Sequence, residues 1–298
     1  MSAPPLVSFV VVGMNSIRYL PACLGSVERL DFPPADLETI YVDNASADGS
    51  AEYVERHHPR AIVIRNRRNL GFAEGNNIGL RIAGGRHLAL LNADAELHPG
   101  WVREMLAGFR ADPSLGIAGC KIYSPGGRTL QHAGGYVDAD LRFGHYGIGE
   151  EDTGGHDGRR RVFYVTAAAM MIARPCLDAI GLFDPAYFAY CEEIDWAEAA
   201  RRAGFTVAYL PRAVAWHHEM SCLGKTRRFY RLYLRNRYRF IVKYFGARRF
   251  ARAFATDILD RGGASTDRPW ARRALLDAFL WNLLHLPQTI RCRGRRFR

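Results

Sequence analysis

At 298 residues, 48% hydrophobic and 24% charged, the chain is long enough for one large core with a small appendage, and its composition is that of an ordinary globular protein. No run reaches the roughly 18–20 apolar residues of a membrane span, the start MSAPPLVSFVVVGMN lacks the form of a signal peptide, and six cysteines without a CxxC pair exclude an obvious zinc site or disulfide framework, so a cytoplasmic protein with reduced, buried thiols is expected. The net charge of +11 belongs to the end of the chain: Ser221–Arg298 holds 20 basic and 4 acidic residues, a block suited to nucleic acid, an anionic membrane surface or a diphosphate-bearing acceptor.

Val7–Gly13 reads as a buried strand and Ser16–Leu30 as a helix with Tyr19, Leu20, Cys23, Leu24 and Val27 on one stripe. Strand Leu37–Val42, helix Ser50–His57, strand Ala61–Arg65, a helix through Asn76, Asn77 and Leu80, and strand His87–Leu91 follow. Four strand–helix units in under 100 residues predict an α/β fold, a mostly parallel sheet with helices on both faces. Further on, Trp101–Ala111 reads as an amphipathic helix, Gly116–Tyr123 as a strand, Ser124–Arg161 as loops and short strands, and Val162–Ala173 as an apolar strand. A helix from about Glu192 ends at Gly204; a strand follows it, and Val214–His218 closes a further one.

Open α/β sheets bind ligands at the carboxyl ends of their strands, so the residues at those ends are the candidates. They are Gly13 and Asn15, Asp43, Asn69 with Gly71 and the following Asn76, and the run Asn92-Ala93-Asp94-Ala95-Glu96. Alternation along an extended segment aims Asn92, Asp94 and Glu96 the same way, and oxygen ligands on one side suit a hard divalent cation that also holds a diphosphate. The plainer alternatives are a polar turn after a buried strand at Asp94, an Asx-turn or helix cap at Asp43, and a polar helix surface at Asn76. GMNSIRY after the first strand is not a GxGxxG dinucleotide site, and no Walker loop occurs. Glu192, Glu193 and Asp195 crowd one helix start beside Tyr187, Phe188, Tyr190 and Trp196. More acid than capping needs, in an apolar frame that raises a carboxyl pKa, points to a general base. His217, at a strand end, can supply a further metal ligand.

VDNASADGS, NLGFAEGNNIG, LLNADAELHPGW, FDPAYFAYCEEIDWAEAARRAGF and AVAWHH, in this order across roughly Val7–Lys225, resemble glycosyltransferase family 2 and its bacterial rhamnosyltransferase-like members. The resemblance implies a GT-A fold, a nucleotide-diphosphate-sugar donor, Mg²⁺ or Mn²⁺, and inversion at the anomeric carbon. By position, Asp43 resembles the base-contacting acid, Asn92-Ala93-Asp94 the DxD motif, Glu193 the general base of the ED pair and His217 the late histidine of the metal site. Asn92 departs from the first DxD aspartate, so Asp94 carries the metal alone or with Glu96. Only the resemblance selects dTDP-rhamnose over a UDP-hexose. A non-catalytic sugar- or nucleotide-binding relative is the alternative.

The resemblance divides the chain into a catalytic region, 1–224, and a basic helical region, 225–298. There Thr226–Phe250 and Ala271–Leu286 read as amphipathic helices before the basic tail Arg291–Arg298. These helices either pack on the catalytic domain or a second subunit of a homo-oligomer with their arginines solvated, or bind an anionic leaflet at the inner face of the cell membrane, where a polyprenyl-diphosphate-linked or other glycan acceptor lies. A nucleic-acid partner leaves the acidic strand ends unexplained and is not expected.

Overall fold

Alternation along the first strands sorts their side chains onto two faces, and each face is covered by helices. In the computed structural model, which describes residues 5–218, 227–264, 269–294 and 296–297, β1 (Val7–Gly13), β2 (Leu37–Asp43), β3 (Ile62–Arg65) and β4 (His87–Asn92) run parallel in the order β3-β2-β1-β4. The later strands are β5 (Ala95–Leu97), β6 (Leu115–Tyr123), β7 (Leu130–His132), the pair β8 (Gly135–Val137) and β9 (Phe143–His145), β10 (Arg160–Arg161), β11 (Ala169–Ala173) and β12 (Thr206–His217). Strand β11 enters antiparallel between β4 and β6, and β12 lies parallel to β6. The second half of the sheet therefore mixes directions.

The helices are α1 (Leu20–Glu28), α2 (Ser50–His57), α3 (Gly71–Ile82), α4 (Trp101–Ala111), α5 (Arg174–Ile180), α6 (Glu192–Arg202), α7 (Arg227–Ala264), α8 (Pro269–Leu284) and α9 (Leu286–Arg291). Val10, Ile40, Leu88 and Leu90 share one apolar cluster with Leu80 of α3, Trp196 of α6, and Tyr238 and Phe240 of α7. Val7, Phe9, Val11, Ala89 and Leu91 share the other with Leu24 of α1 and with Trp101 and Met105 of α4. Five cysteines are buried and free; Cys222 lies outside the described residues. No described helix is long and apolar enough to cross a membrane.

Several expectations are corrected. The first helix begins at Leu20 rather than Ser16; Ser16 and Ile17 lie in the loop before it, where their N–H groups donate to Ser50 Oγ at the start of α2 and to Asp48. Only Ala169–Ala173 of the expected strand Val162–Ala173 is extended in the sheet; Phe163 instead donates to Gly135. One twelve-residue strand, β12, replaces two, its register shifting between Leu210 and Val214 around Pro211, which has no N–H for the ladder. The short helix α5 carried too few turns for its period to be read.

The basic helices are part of this core. Arg237 and Arg239 of α7 are buried rather than solvated: Arg239 pairs with Asp184 at 2.7 Å and Arg237 with Asp257. Lys243 reaches Asp195 of α6 at 2.7 Å, and both side chains are about 5% exposed. Gly246, at φ 81°, breaks α7. Removing one partner of a buried pair strands the other charge, so Lys243→Met is expected to cost about 3–5 kcal/mol in urea denaturation. A cost near zero would show that this pair does not anchor α7.

Candidate active site

The strand register puts the candidates in one row. Gly13 pairs with Asp43, and Val12, the residue before Gly13, pairs with Asn92, so three neighbouring strands end together. A Cβ at Gly13 would lie 2.5 Å from the Tyr41 hydroxyl, so any side chain there would have to displace that ring. The loops beyond are stitched together. Asn15, at φ 52°, donates its N–H to Ser46 Oγ at 2.8 Å, and its Oδ1 accepts from Ala47 at 2.8 Å. Asp43 is buried, with Oδ2 accepting from the Ser46 N–H at 2.9 Å and Oδ1 3.5 Å from the Tyr41 hydroxyl.

On the next loop Asn69 Oδ1 accepts from the Gly71 N–H at 2.8 Å, while Nδ2 meets Met14 Sδ at 2.8 Å. Gly71 has φ 83°, and a Cβ there would lie 2.5 Å from the Phe188 carbonyl oxygen. Gly71 is thus where the Phe188 loop docks on α3. Asn76, expected at the nucleotide, is buried in α3 and donates to the Phe72 carbonyl at 2.9 Å. Asn44, which sequence reasoning passed over, bridges the loops by donating to the Gly71 carbonyl and accepting from Asn66, both at 2.9 Å.

The acidic run is not one extended segment. The chain turns at Ala93-Asp94 between β4 and β5, so alternation does not carry through it. Asn92 and Asp94 meet at His217: Asn92 Nδ2 lies 3.1 Å and Asp94 Oδ1 3.2 Å from His217 Nε2. Glu96, expected beside them, instead meets His218 at 3.3 Å.

Gln131 of β7 fixes how His217 is presented. Its amide donates to the His217 carbonyl at 2.6 Å, which leaves Oε1, 3.2 Å from Nδ1, to accept. The Nδ1 proton is thereby held on Gln131, and the Nε2 lone pair faces Asn92 and Asp94. The Asn92 amide donates to that lone pair at 3.1 Å, and a cation or a second ring proton between Nε2 and Asp94 Oδ1 would relieve the repulsion in their 3.2 Å contact. Their separation matches neighbouring ligands of a six-coordinate cation with bonds of about 2.1 Å. Asn92 Oδ1 is buried with no partner. Among the described residues no group of three His, Cys, Asp or Glu side chains could hold a metal, so protein supplies only part of such a shell. Gln131 lies within Ser124–Arg161, the segment read as loops and short strands, and no signal in the sequence singled it out.

The second half of the site is the start of α6. Phe188, Tyr190 and Cys191 all have left-handed backbones, at φ 64°, 72° and 71°, a strain found where a loop is held for function. Two contacts hold it. The Phe188 carbonyl accepts from the Phe72 and Ala73 N–H groups of α3 at 2.6 and 3.1 Å, and Asn236 of α7 donates to the carbonyls of Tyr187, Ala189 and Tyr190, each at 2.8 Å. The loop therefore docks the start of α6 at the edge where α3 begins.

Glu192 and Glu193 each bury an Oε2 without a partner. Burial pushes the Glu193 carboxyl up from 4.5 to about 7; burial first, and then its neighbour Glu193, raises Glu192 well above the carboxylate range. Asp195, expected with them, is turned away from Glu193 by helical rotation. Its carboxylate is taken by Lys243 and the Tyr187 hydroxyl, a tie between helices rather than a reactive group.

Residues 8–179 match the family model Glycosyl transferase family 2, more than half of the chain. The chain belongs to glycosyl transferase family 2. A relative, the uncharacterized protein y4gI of Sinorhizobium fredii, is 30% identical over 237 residues, 75% of this chain and 26% of that protein; the chain thus spans about a quarter of that relative's length. N-acetylglucosaminyl-diphospho-decaprenol L-rhamnosyltransferase of Mycobacterium tuberculosis is 22% identical over 238 residues, 72% of this chain and 75% of that one. The solved structure of GalNAc-T7 with UDP, GalNAc and Mn²⁺ aligns with a TM-score of 0.66 at 17% identity, over 95% of this chain and 55% of that chain. The fold is the GT-A type that the sequence blocks implied.

In this family 2 chain the raised Glu193 carboxyl has a thermodynamic signature. Its folded pKa lies above its unfolded one, so it supports the fold fully below about 4.5 and loses that support as pH rises through about 7. Glu193→Gln is expected to raise stability above pH 7 by about 1–3 kcal/mol and to change it little near pH 4. Melting curves of both proteins across pH check this.

Proposed function

We propose that this protein is an inverting, metal-dependent glycosyltransferase that moves a sugar from a nucleotide diphosphate to a hydroxyl of a glycan or polyprenyl-diphosphate-linked acceptor. The observation that carries this reading is the pair Glu192 and Glu193, each with a buried Oε2 that has no partner, docked by the Phe188 loop on the sheet edge that ends in the Asp94–His217 cluster. In this reading 1–224 is the catalytic region and 225–298 its basic helical extension.

Asp43 and the loops of Gly13, Asn15 and Asn69 hold the nucleoside. Asp94 and His217 would hold a Mg²⁺ or Mn²⁺ ion, which when bound would supply positive charge opposite the departing diphosphate, and Gln131 keeps His217 turned toward Asp94. Glu193 accepts the proton of the acceptor hydroxyl as that oxygen attacks the anomeric carbon. Burial, and then the neighbouring Glu193, hold the Glu192 carboxyl well above the carboxylate range, which disfavours a second negative charge beside the base. The rhamnosyltransferase name of one relative favours dTDP-rhamnose and a lipid-linked acceptor, with the basic region meeting the leaflet that carries it. GalNAc-T7, solved with UDP and Mn²⁺, supports a UDP-hexose donor as the second reading.

Melting with dTDP, UDP or GDP, each with Mn²⁺, Mg²⁺ or a chelator, separates these readings, since a ligand bound by the native state raises Tm. A metal-dependent rise with dTDP is expected. UDP alone would change the donor, and no rise with any nucleotide would overturn the assignment. With the donor known, Glu193→Gln is expected to lower kcat by about 10²–10⁴, and wild-type kcat/KM to climb as pH passes about 7. Gln131→Leu should weaken metal dependence about 10–100-fold while leaving nucleotide-free stability nearly unchanged.

A further inference from the structure

Helix α8 is apolar on two opposite faces. One is spent: Ala274, Leu275 and Ala278 are buried, and Phe279 stacks on Phe250 and Phe254 of α7 with ring centroids 5.5 and 4.2 Å apart. The other is open. Leu276, Leu280, Leu283 and Leu284 are 52%, 46%, 45% and 79% exposed, and at helical rotation they share one arc of about 120° with Arg272 and Arg273. A helix apolar all round belongs in an interior, so four leucines facing water in one stripe mark a surface that meets something else.

Charge selects the partner. Arg272 and Arg273 are exposed near the N-terminal end of α8, where the helix dipole disfavours cations, so helix stability does not explain them. Beyond the other end Arg291 and Arg293 are exposed as well. A second copy seated on this face would set Arg272 and Arg273 against their own equivalents or against the leucine end of the stripe, with no acid inside the stripe to meet them, whereas an anionic lipid leaflet accepts leucines into its acyl boundary and arginines at its headgroups. Asp277 is the only acid in α8 and lies half-buried at the margin of the stripe.

We propose that the Leu276–Leu280–Leu283–Leu284 face of α8 is a monotopic membrane-binding surface for an anionic leaflet, with α8 lying in the plane of the interface. It rests on the proposed function only for its purpose, which is to bring the active site to a lipid-borne acceptor; the binding itself stands on this helix face.

The full-length protein is sedimented with vesicles of phosphatidylcholine alone or mixed with phosphatidylglycerol. It is expected to pellet with the mixed vesicles only, and less as salt rises. The double variant Leu280→Glu, Leu284→Glu should bind at least tenfold more weakly, from the apolar area that each leucine removes from water, while keeping the nucleotide-induced rise in Tm. Leu284→Trp, at a site too exposed to disturb folding, should show a blue-shifted emission when mixed vesicles are added. Wild-type protein left in the supernatant, equal binding by the double variant, or a wild-type dimer that the double variant splits would overturn the proposal. Vesicle binding without any nucleotide effect on Tm would overturn the proposed function and leave this surface standing.

Discussion

The site depends on one constraint, the loop from Phe188 to Cys191 clamped between α3 and α7. Three non-glycine residues in left-handed conformations cost roughly 1 kcal/mol or more each, so the loop keeps this shape only because partners on both sides demand it. The Phe188 carbonyl sits on the first N–H groups of α3, where Gly71 alone leaves room for it. Asn236, fully buried, collects three carbonyls from the other side. Release of either contact would let the start of α6 swing, and with it the two carboxyls that the loop presents.

This clamp explains why the C-terminal helices carry so many cations inside the protein. Asn236, Arg239 and Lys243 lie along one side of α7, and each fixes part of Asp184–Asp195 by a buried hydrogen bond or ion pair. Such pairs add little net stability, yet they fix geometry, because the wrong arrangement leaves a buried charge without a partner. Part of the basic excess is thus internal scaffolding, and only the exposed remainder on and beyond α8 is available to an outside surface.

The two halves of the site use opposite electrostatics. At the β4 end His217 Nε2 and the Asp94 carboxylate face each other 3.2 Å apart beside the Asn92 amide, an arrangement that invites positive charge. At the start of α6, burial makes negative charge costly, so Glu193 is poised near neutrality to take up a proton. A sheet edge offers both environments because its strand ends are polar while the helices covering it are apolar.

Much of this was legible in the chain, and for definite reasons. The buried strands announced themselves by uninterrupted apolar runs, since a parallel strand covered on both faces has no polar side to hide, and the strand ends Asp43, Asn92 and Asp94 followed from where those runs stop. The acids at the start of α6 stood out because capping does not require three. The sequence could not show that the chain turns at Ala93-Asp94, which sends Glu96 to His218, nor that Asp195 belongs to Lys243, because each depends on a partner far along the chain. Gln131 and Asn236 are ordinary polar residues until the tertiary structure sets one on His217 and the other beneath three carbonyls. Period, burial and the chemistry available at each strand end are local properties, and the residues alone carry them. Which of those groups share a partner is settled only in the folded chain, because hydrogen bonds and ion pairs between distant segments leave no local period to read.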